Sequence, residues 1–290
     1  MNVHLVDGTY ELFRYYYALP EHLDADGVEV SAVRGVLGSV LSLLEEGATH
    51  VGVATDHIIE SFRNEMWPGY KTGAGIDPAL FGQFPLLEDA LEAMGVAVWA
   101  MIDLEADDAL ASAATVAAAD ARVEQVVICT PDKDLAQCVT DPRVAQLDRR
   151  QGKWMDEAAV REKFGVEPAS IPDWLALVGD SADGFPGLSG WGAKSAATVL
   201  ARYGHLDAIP PDATTWDVNV RGAAKLSATL EAKRDDAALF LDLATLRRDA
   251  DVGAVDDWKW RAPTAEFANW VERLGEPALG RRTERLAEQR

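Results

Sequence analysis

Gln125-Val126-Val127-Ile128-Cys129-Thr130-Pro131-Asp132-Lys133-Asp134 is the stretch on which the fold turns. Residues 125–129 are mostly apolar and rich in β-branched side chains, and the run stops against two aspartates. A short apolar run bounded in this way reads as a buried strand with acids at its carboxyl end. The same grammar recurs three times. Residues 2–6 run into Asp7, residues 50–54 end near Asp56, and residues 96–101 precede Glu105, Asp107 and Asp108. Helical spacing over 32–46, 84–94 and 107–119 separates these runs. Strands alternating with helices imply an α/β fold, a parallel sheet with helices on both faces, whose ligands gather at the carboxyl ends of the strands.

The alternation stops near residue 155. Beyond it the spacing is helical over 156–164, 171–179, 193–203, 219–233 and 235–246, with a Gly-rich turn, residues 184–192, between two of the helices. The expected organisation is therefore an α/β domain over 1–155 and a helical region over 156–290. The tail from residue 253, with Trp258, Trp260 and Trp270, reads as a packing extension.

Composition narrows the class. The 290 residues are 48% hydrophobic and 26% charged, an ordinary globular profile. Cys129 and Cys138, the two cysteines, fit neither a disulfide framework nor a zinc set. No run of 18 apolar residues occurs and the first residues lack a signal-peptide pattern, so a cytoplasmic, nucleoid-associated location is expected. The charge is less ordinary: 48 acids against 27 Lys and Arg give −21. Spread evenly, such a charge argues against nucleic acid and for a solvated acidic surface.

The acids are not spread evenly. Asp7, Asp56, Glu105, Asp107, Asp108, Asp132 and Asp134 share one edge of the expected sheet, while Asp180 and Asp183 enter the Gly-rich turn. Clustered carboxylates resist ionisation together unless a cation neutralises them. All-oxygen ligation suits Mg2+ or Mn2+, and enough acids for two ions suggests a pair about 3.5–4 Å apart that clamps an in-line phosphoryl displacement. Taken singly, each Asp could equally be a helix cap. Two near-matches fail. The phosphatase Asp-x-Asp-Gly-Thr would need an acid where Leu5 stands, and a P-loop would need Gly-Lys adjacent where Ala193 separates Gly192 from Lys194.

With these residues in view, the sequence resembles the bacterial 5′→3′ exonucleases and flap endonucleases, a PIN-like class that includes the N-terminal nuclease domain of DNA polymerase I. The resemblance runs in order from Val3 to about residue 250. It comprises the opening Val3 to Thr9, Arg14, the segment from Asp56 through Ser61-Phe62-Arg63 to Gly69-Tyr70-Lys71, Glu105-Ala106-Asp107-Asp108, Thr130 to Leu135, and Gly179 to Gly187 continuing to Lys194. It implies a nuclease of the DNA replication and repair type, hydrolysing DNA or an RNA–DNA primer at a 5′ end, flap or nick by a two-metal mechanism, without sequence specificity and as a monomer. One Mg2+ would involve Asp7, Asp56, Glu105 and Asp107. The second would share Asp107 and use Asp132, Asp134 and Asp183, with Asp108 and Asp180 as auxiliary ligands. Lys71 would steady the scissile phosphate. Tyr70 would stack on a base or else pack a helix, and Arg63 would join Arg14 on phosphates or else form a surface salt bridge. An arch is implied over about 63–85 and a helix–three-turn–helix over about 171–204. There Gly187, Gly190, Gly192 and Lys194 would take the duplex backbone and a K+ ion, unless the turn is a plain αα connection.

The sequence also departs from the family pattern. Ala74 stands where the arch carries an arginine, and residues 72–79 hold no basic residue to clamp a 5′ strand. Gly184 replaces an Asn and Pro131 a Gly. Setting aside the nine proposed site acids takes the charge from −21 to −12, and two Mg2+ bring it to −8. DNA must then bind through a local basic track, for which Arg221, Lys225, Lys233 and Arg234 are candidates on one helix, with weak affinity and strong salt dependence. No polymerase half is expected within the chain. A PIN-type single-strand ribonuclease and a catalytically weak junction-binding paralogue are the rival readings.

Overall fold

The computed structural model describes residues 1–290, which form two compact units. The first comprises Met1–Ile59, Gly73–Thr130 and Arg248–Arg290, and the second Glu60–Thr72 and Pro131–Arg247. The fold is mixed α/β with six strands, and its later half is helical.

In the first unit β1 (Asn2–Asp7), β2 (His50–Asp56), β3 (Ala97–Met101) and β4 (Gln125–Cys129) lie parallel in the order β3-β2-β1-β4. Val6 pairs with both Val53 and Cys129, and Asp56 with Met101, so the four carboxyl ends share one edge. β2 is buried along its whole length, as befits a strand covered on both faces. The flanking helices are α1 (Gly8–Ala18), α2 (Ser31–Glu45), α4 (Pro78–Phe81), α5 (Gln83–Ala93), α6 (Ala106–Ala119), α12 (Phe267–Arg273) and α13 (Pro277–Gln289). α2 buries Val33, Val36, Leu37, Val40, Leu41 and Leu44, the stripe that helical spacing demands. α6 is built from alanines, and Ala109, Ala113 and Ala117 are fully buried. α1 was not anticipated: its aromatic-rich sequence, Tyr10 to Tyr17, lacks a simple apolar stripe.

The tail packs as expected and adds two helices. The Trp99 ring lies over Gly52, where a Cβ would come within 2.1 Å of it. It meets Trp258 edge to face at 5.4 Å, and both indoles donate to the Val252 carbonyl. Trp260 is buried and donates to Met94 O, whereas Trp270 is half-buried. No helix is long and apolar enough to cross a membrane.

The second unit contains α3 (Phe62–Met66), β5 (Val144–Asp148), β6 (Lys153–Met155), α7 (Glu157–Phe164), α8 (Ile171–Val178), α9 (Ala193–Tyr203), α10 (Ala223–Ala232) and α11 (Arg234–Ala244). Phe185 stacks on Phe240 at 5.7 Å in a core that also takes Val160, Leu175, Val199 and Leu226. β5 and β6 form an antiparallel hairpin, which the sequence did not signal because β6 has three residues, two of them exposed. The helix expected over 219–233 begins only at Ala223, since Gly222 adopts φ 78° ahead of it.

Candidate active site

The carboxylates of the first unit are made by its strand ends and helix starts. Asp7 closes β1 and caps α1: its Oδ1 accepts from Tyr10 N at 2.8 Å and its Oδ2 from Thr130 Oγ1 at 2.8 Å. Asp56 closes β2. Its Oδ1 accepts from Ala106 N at 2.8 Å, and its own N–H donates to Thr9 Oγ1, tying β2 to the starts of α6 and α1 respectively. Glu105 caps α6 in a reciprocal box with Asp108, whose Oδ2 accepts from Glu105 N at 3.0 Å. Asp7, Asp56, Glu105 and Asp108 are buried, and Asp107 is half-buried in the first turn of α6. Asp7, Asp56 and Asp108 each accept a backbone N–H at the start of a helix, where the helix dipole is positive.

Arg14, on α1, lies 4.0 Å from the Tyr15 ring centroid and forms an ion pair with Glu11. Its Nε is buried without a partner.

In the second unit Asp134, Asp180 and Asp183 each present a carboxylate oxygen, all within 4.8 Å of one another. Asp132 is exposed beside them, and its Oδ1 accepts from Asp134 N at 3.0 Å. Asp134 Oδ1 is buried without a hydrogen bond. Burial first, then repulsion from Asp132 and Asp183, pushes the Asp134 carboxyl well above the usual carboxylate range against the opposing pull of Lys133. Lys133 Nζ is 2.5 Å from Asp180 Oδ2 and 3.7 Å from Asp134 Oδ1. Burial works against the Lys133 ammonium, but Asp134, Asp180 and Asp132 outweigh it and hold its proton firmly. Lys71 Nζ is 3.2 Å from Asp183 Oδ1, and its N–H donates to the Asp183 carbonyl. An all-carboxylate pocket with one orphaned oxygen and borrowed lysine ammoniums fits a hard divalent cation.

Asp180 and Asp183 lie on a loop closed by main chain. Asp180 and Phe185 exchange backbone hydrogen bonds, and a Cβ on Gly179 would meet Pro186 C at 2.5 Å. Gly187, with φ 65°, would strike Gly179 N at 2.3 Å if it carried one. Gly187 was expected to let a phosphate approach; its lack of a side chain instead serves this backbone crossing. Gly184, where the family pattern has Asn, passes the Gly69 carbonyl so closely that a Cβ would lie 2.0 Å from it. Gly190 and Gly192 have open space at the Cβ position, and Lys194 is exposed in the first turn of α9.

Two expected site residues are corrected. Arg63 is 1% exposed, and its guanidinium donates to the carbonyls of Leu243 and Thr245. It staples α3 to the end of α11 and has no phosphate-facing surface. Tyr70 is 4% exposed within the core of the unit, so it is the packing aromatic and offers no face to a base. The basic helix is corrected as well. Arg221 precedes α10, Lys225 lies on it and both are exposed, whereas Lys233 and Arg234 form ion pairs with Asp236 and Glu231. Lys133 was the functional residue missed. Its place between Asp132 and Asp134 was the available signal.

Two family models match in tandem: "5′-3′ exonuclease, N-terminal resolvase-like domain" over residues 2–165 and "5′-3′ exonuclease, C-terminal SAM fold" over 166–266. DNA polymerase I of Pseudomonas aeruginosa is 34% identical over 291 residues, covering 93% of this chain and 31% of that protein. The thermostable DNA polymerase I of Thermus aquaticus is 35% identical over 272 residues, with the same two coverages. The chain thus spans about a third of the length of these curated relatives. Among solved structures, T5 D15 protein co-crystallised with metal ions matches with a TM-score of 0.69 at 20% identity, covering 99% of both chains. The catalytic core of Rad2 in complex with DNA substrate matches at 0.63 and 16%, covering 98% of this chain and 90% of that one. These likenesses show the shared fold.

Proposed function

This chain belongs to the 5′-3′ exonuclease family, and from that premise we propose that it hydrolyses DNA phosphodiesters at a 5′ end or flap with divalent cations, Mg2+ foremost. The observation that carries the reading is the orphaned Asp134 Oδ1 among the carboxylates of Asp180 and Asp183. A buried carboxylate oxygen that meets other acids and has no donor is a cost to folding unless a cation recovers it.

Asp7, Asp56, Glu105 and Asp107 would hold one ion, with Asp108 fixing Glu105. Asp132, Asp134 and Asp183 would hold the other, with Asp180 kept in place by Lys133. The chemistry such ions supply is Lewis acidity toward phosphoryl oxygens and a lowered pKa for water. Lys71 holds an ammonium against Asp183 and is poised to stabilise negative charge on the scissile phosphate. Arg14 would take a phosphate on the side of the first unit.

Gly190, Gly192 and Lys194 at the start of α9, with Arg221 and Lys225, would bind duplex backbone without reading sequence, aided by K+ at the turn. The T5 and Rad2 structures with DNA support DNA as the partner. Flap or nick preference, a monomeric state and a cytoplasmic setting complete the proposal.

The test is a cleavage assay with labelled 5′-flap, nicked duplex and single-stranded RNA in Mg2+, in Mn2+ and with chelator. Metal-dependent cutting of the flap is expected. Cutting of RNA alone, or flap binding without cutting in both metals, would replace this reading with the ribonuclease or the junction binder.

A further inference from the structure

The β5–β6 hairpin is a basic, aromatic ribbon on a strongly acidic chain. Its strands pair Leu147 with Trp154 and Asp148 with Lys153. Arg149 and Arg150 stand at the turn, where Asp148 Oδ1 accepts from Gln151 N at 3.0 Å and Gly152 takes φ 64°. Trp154 is 50% exposed, one of the most exposed large apolar side chains in the protein. Arg150 and Lys153 are exposed and form no ion pair.

The cations do not stop at the turn. Lys163, on α7, lies within electrostatic reach of Lys153 and Lys133 and of Asp132; desolvation and then those two lysines lower its pKa. Lys133 in turn touches Asp180. Lys163 thus stands close to Lys153 of the hairpin and to Lys133 of the carboxylate cluster. In contrast, residues 72–79, where the family places its strand-gripping cations, hold none.

We propose that this hairpin grips the unpaired strand of the DNA substrate, with Trp154 stacking on a base and Arg149, Arg150, Lys153 and Lys163 holding the adjoining phosphates. The proposal rests on the nuclease reading above and names the part of the substrate that the hairpin takes. A single strand is the fitting occupant because an aromatic face needs an unstacked base, which a duplex does not present, and the flanking cations need phosphates.

The experiment compares binding of the whole chain to a duplex with a 5′ single-stranded extension and to the same duplex blunt-ended, by fluorescence anisotropy without divalent cation. Trp154→Ala is expected to weaken binding of the extended DNA about tenfold, the order of one base stacked on an aromatic ring. Blunt duplex should change less than about twofold. Trp154→Phe, which keeps a stacking face, should bind nearly as the wild type does. Arg150→Gln with Lys153→Gln should reduce the salt slope on extended DNA by about 1.4, since each single-strand contact contributes about 0.7.

Equal losses on both DNAs, no loss with Trp154→Ala, or the same loss with Trp154→Phe would each overturn the proposal. If the wild type binds and cuts but Trp154→Ala matches it, only the hairpin assignment fails. If the wild type neither binds nor cuts, the nuclease reading fails and this proposal falls with it.

Discussion

The acids of the two units differ in how completely they are provided with donors. In the first, Asp7, Asp56 and Asp108 accept backbone N–H donors that helices α1 and α6 must place somewhere. These acids belong to the architecture as well as to any chemistry. In the second, Asp132 and Asp180 also accept a backbone N–H, but Asp134 has a buried oxygen with no donor, and Asp180 and Asp183 lie against lysines. That set is held by the fold against its own repulsion. The contrast teaches that carboxylates gathered by one chain can either support the fold or burden it, and mutation should separate the two kinds.

The largest effect is expected on turnover. Asp132→Ala and Asp183→Ala should each lower flap cleavage by more than about 100-fold, beyond what an orienting partner alone is worth, while unfolding curves shift less than for a buried acid, since Asp132 is exposed and water can take over the N–H of Asp134 that it accepts. Wild-type turnover in either variant breaks the assignment of the second set. Next, Asp56→Ala should lose cleavage and also about 1–3 kcal/mol of stability in urea, because Ala106 N–H is left buried without an acceptor. Unchanged stability there would erase the contrast from the other side.

Asp134→Asn should do the reverse and raise the melting temperature of the metal-free protein. Its sign follows from the raised carboxyl: the contribution of Asp134 is fully present below the ordinary carboxylate pKa and is lost as pH rises through the raised one. The advantage of the variant should therefore widen from acid toward neutral pH and shrink when Mg2+ is added. Melting curves with chelator across that range read it directly, and a gap independent of pH would show that repulsion is not its source. The smallest effect is expected at Lys225→Gln, a reduction of about 0.9 in the salt slope on duplex DNA with turnover at saturating DNA unchanged.

Much of this arrangement is legible in the sequence, for physical reasons that also mark its limits. β1, β2 and β4 announce themselves because they are largely buried, Val-bearing runs that lead into acids, whereas β3, in which Trp99 alone is buried, is marked only by its short apolar run. β5–β6 stays hidden because Lys153 and Trp154 face solvent and a three-residue strand has no periodicity to show. Arg63 and Tyr70 were misread for one reason. What buries them, the carbonyls of Leu243 and Thr245 and the core around Phe185, lies more than 100 residues away along the chain. Local spacing cannot report a partner that only folding supplies. The character of the second acid set was hidden in the same way, since neither the missing donor of Asp134 nor the ammonium of Lys133 can be counted before the loops are placed.

The crossing of Gly179 and Gly187 sets a different kind of limit. The loop that presents Asp180 and Asp183 has a neck so narrow that its two walls are bare backbone. The backbone on which those two acids stand is thus set by peptide geometry at the neck, while Lys133 and Lys71 hold their side chains. A single methyl group at either position would pry the neck open and pull the acids out of register, however intact the acids themselves remained. The neck admits no side chain at all, and Gly184 further along the same loop is closed off likewise by the Gly69 carbonyl.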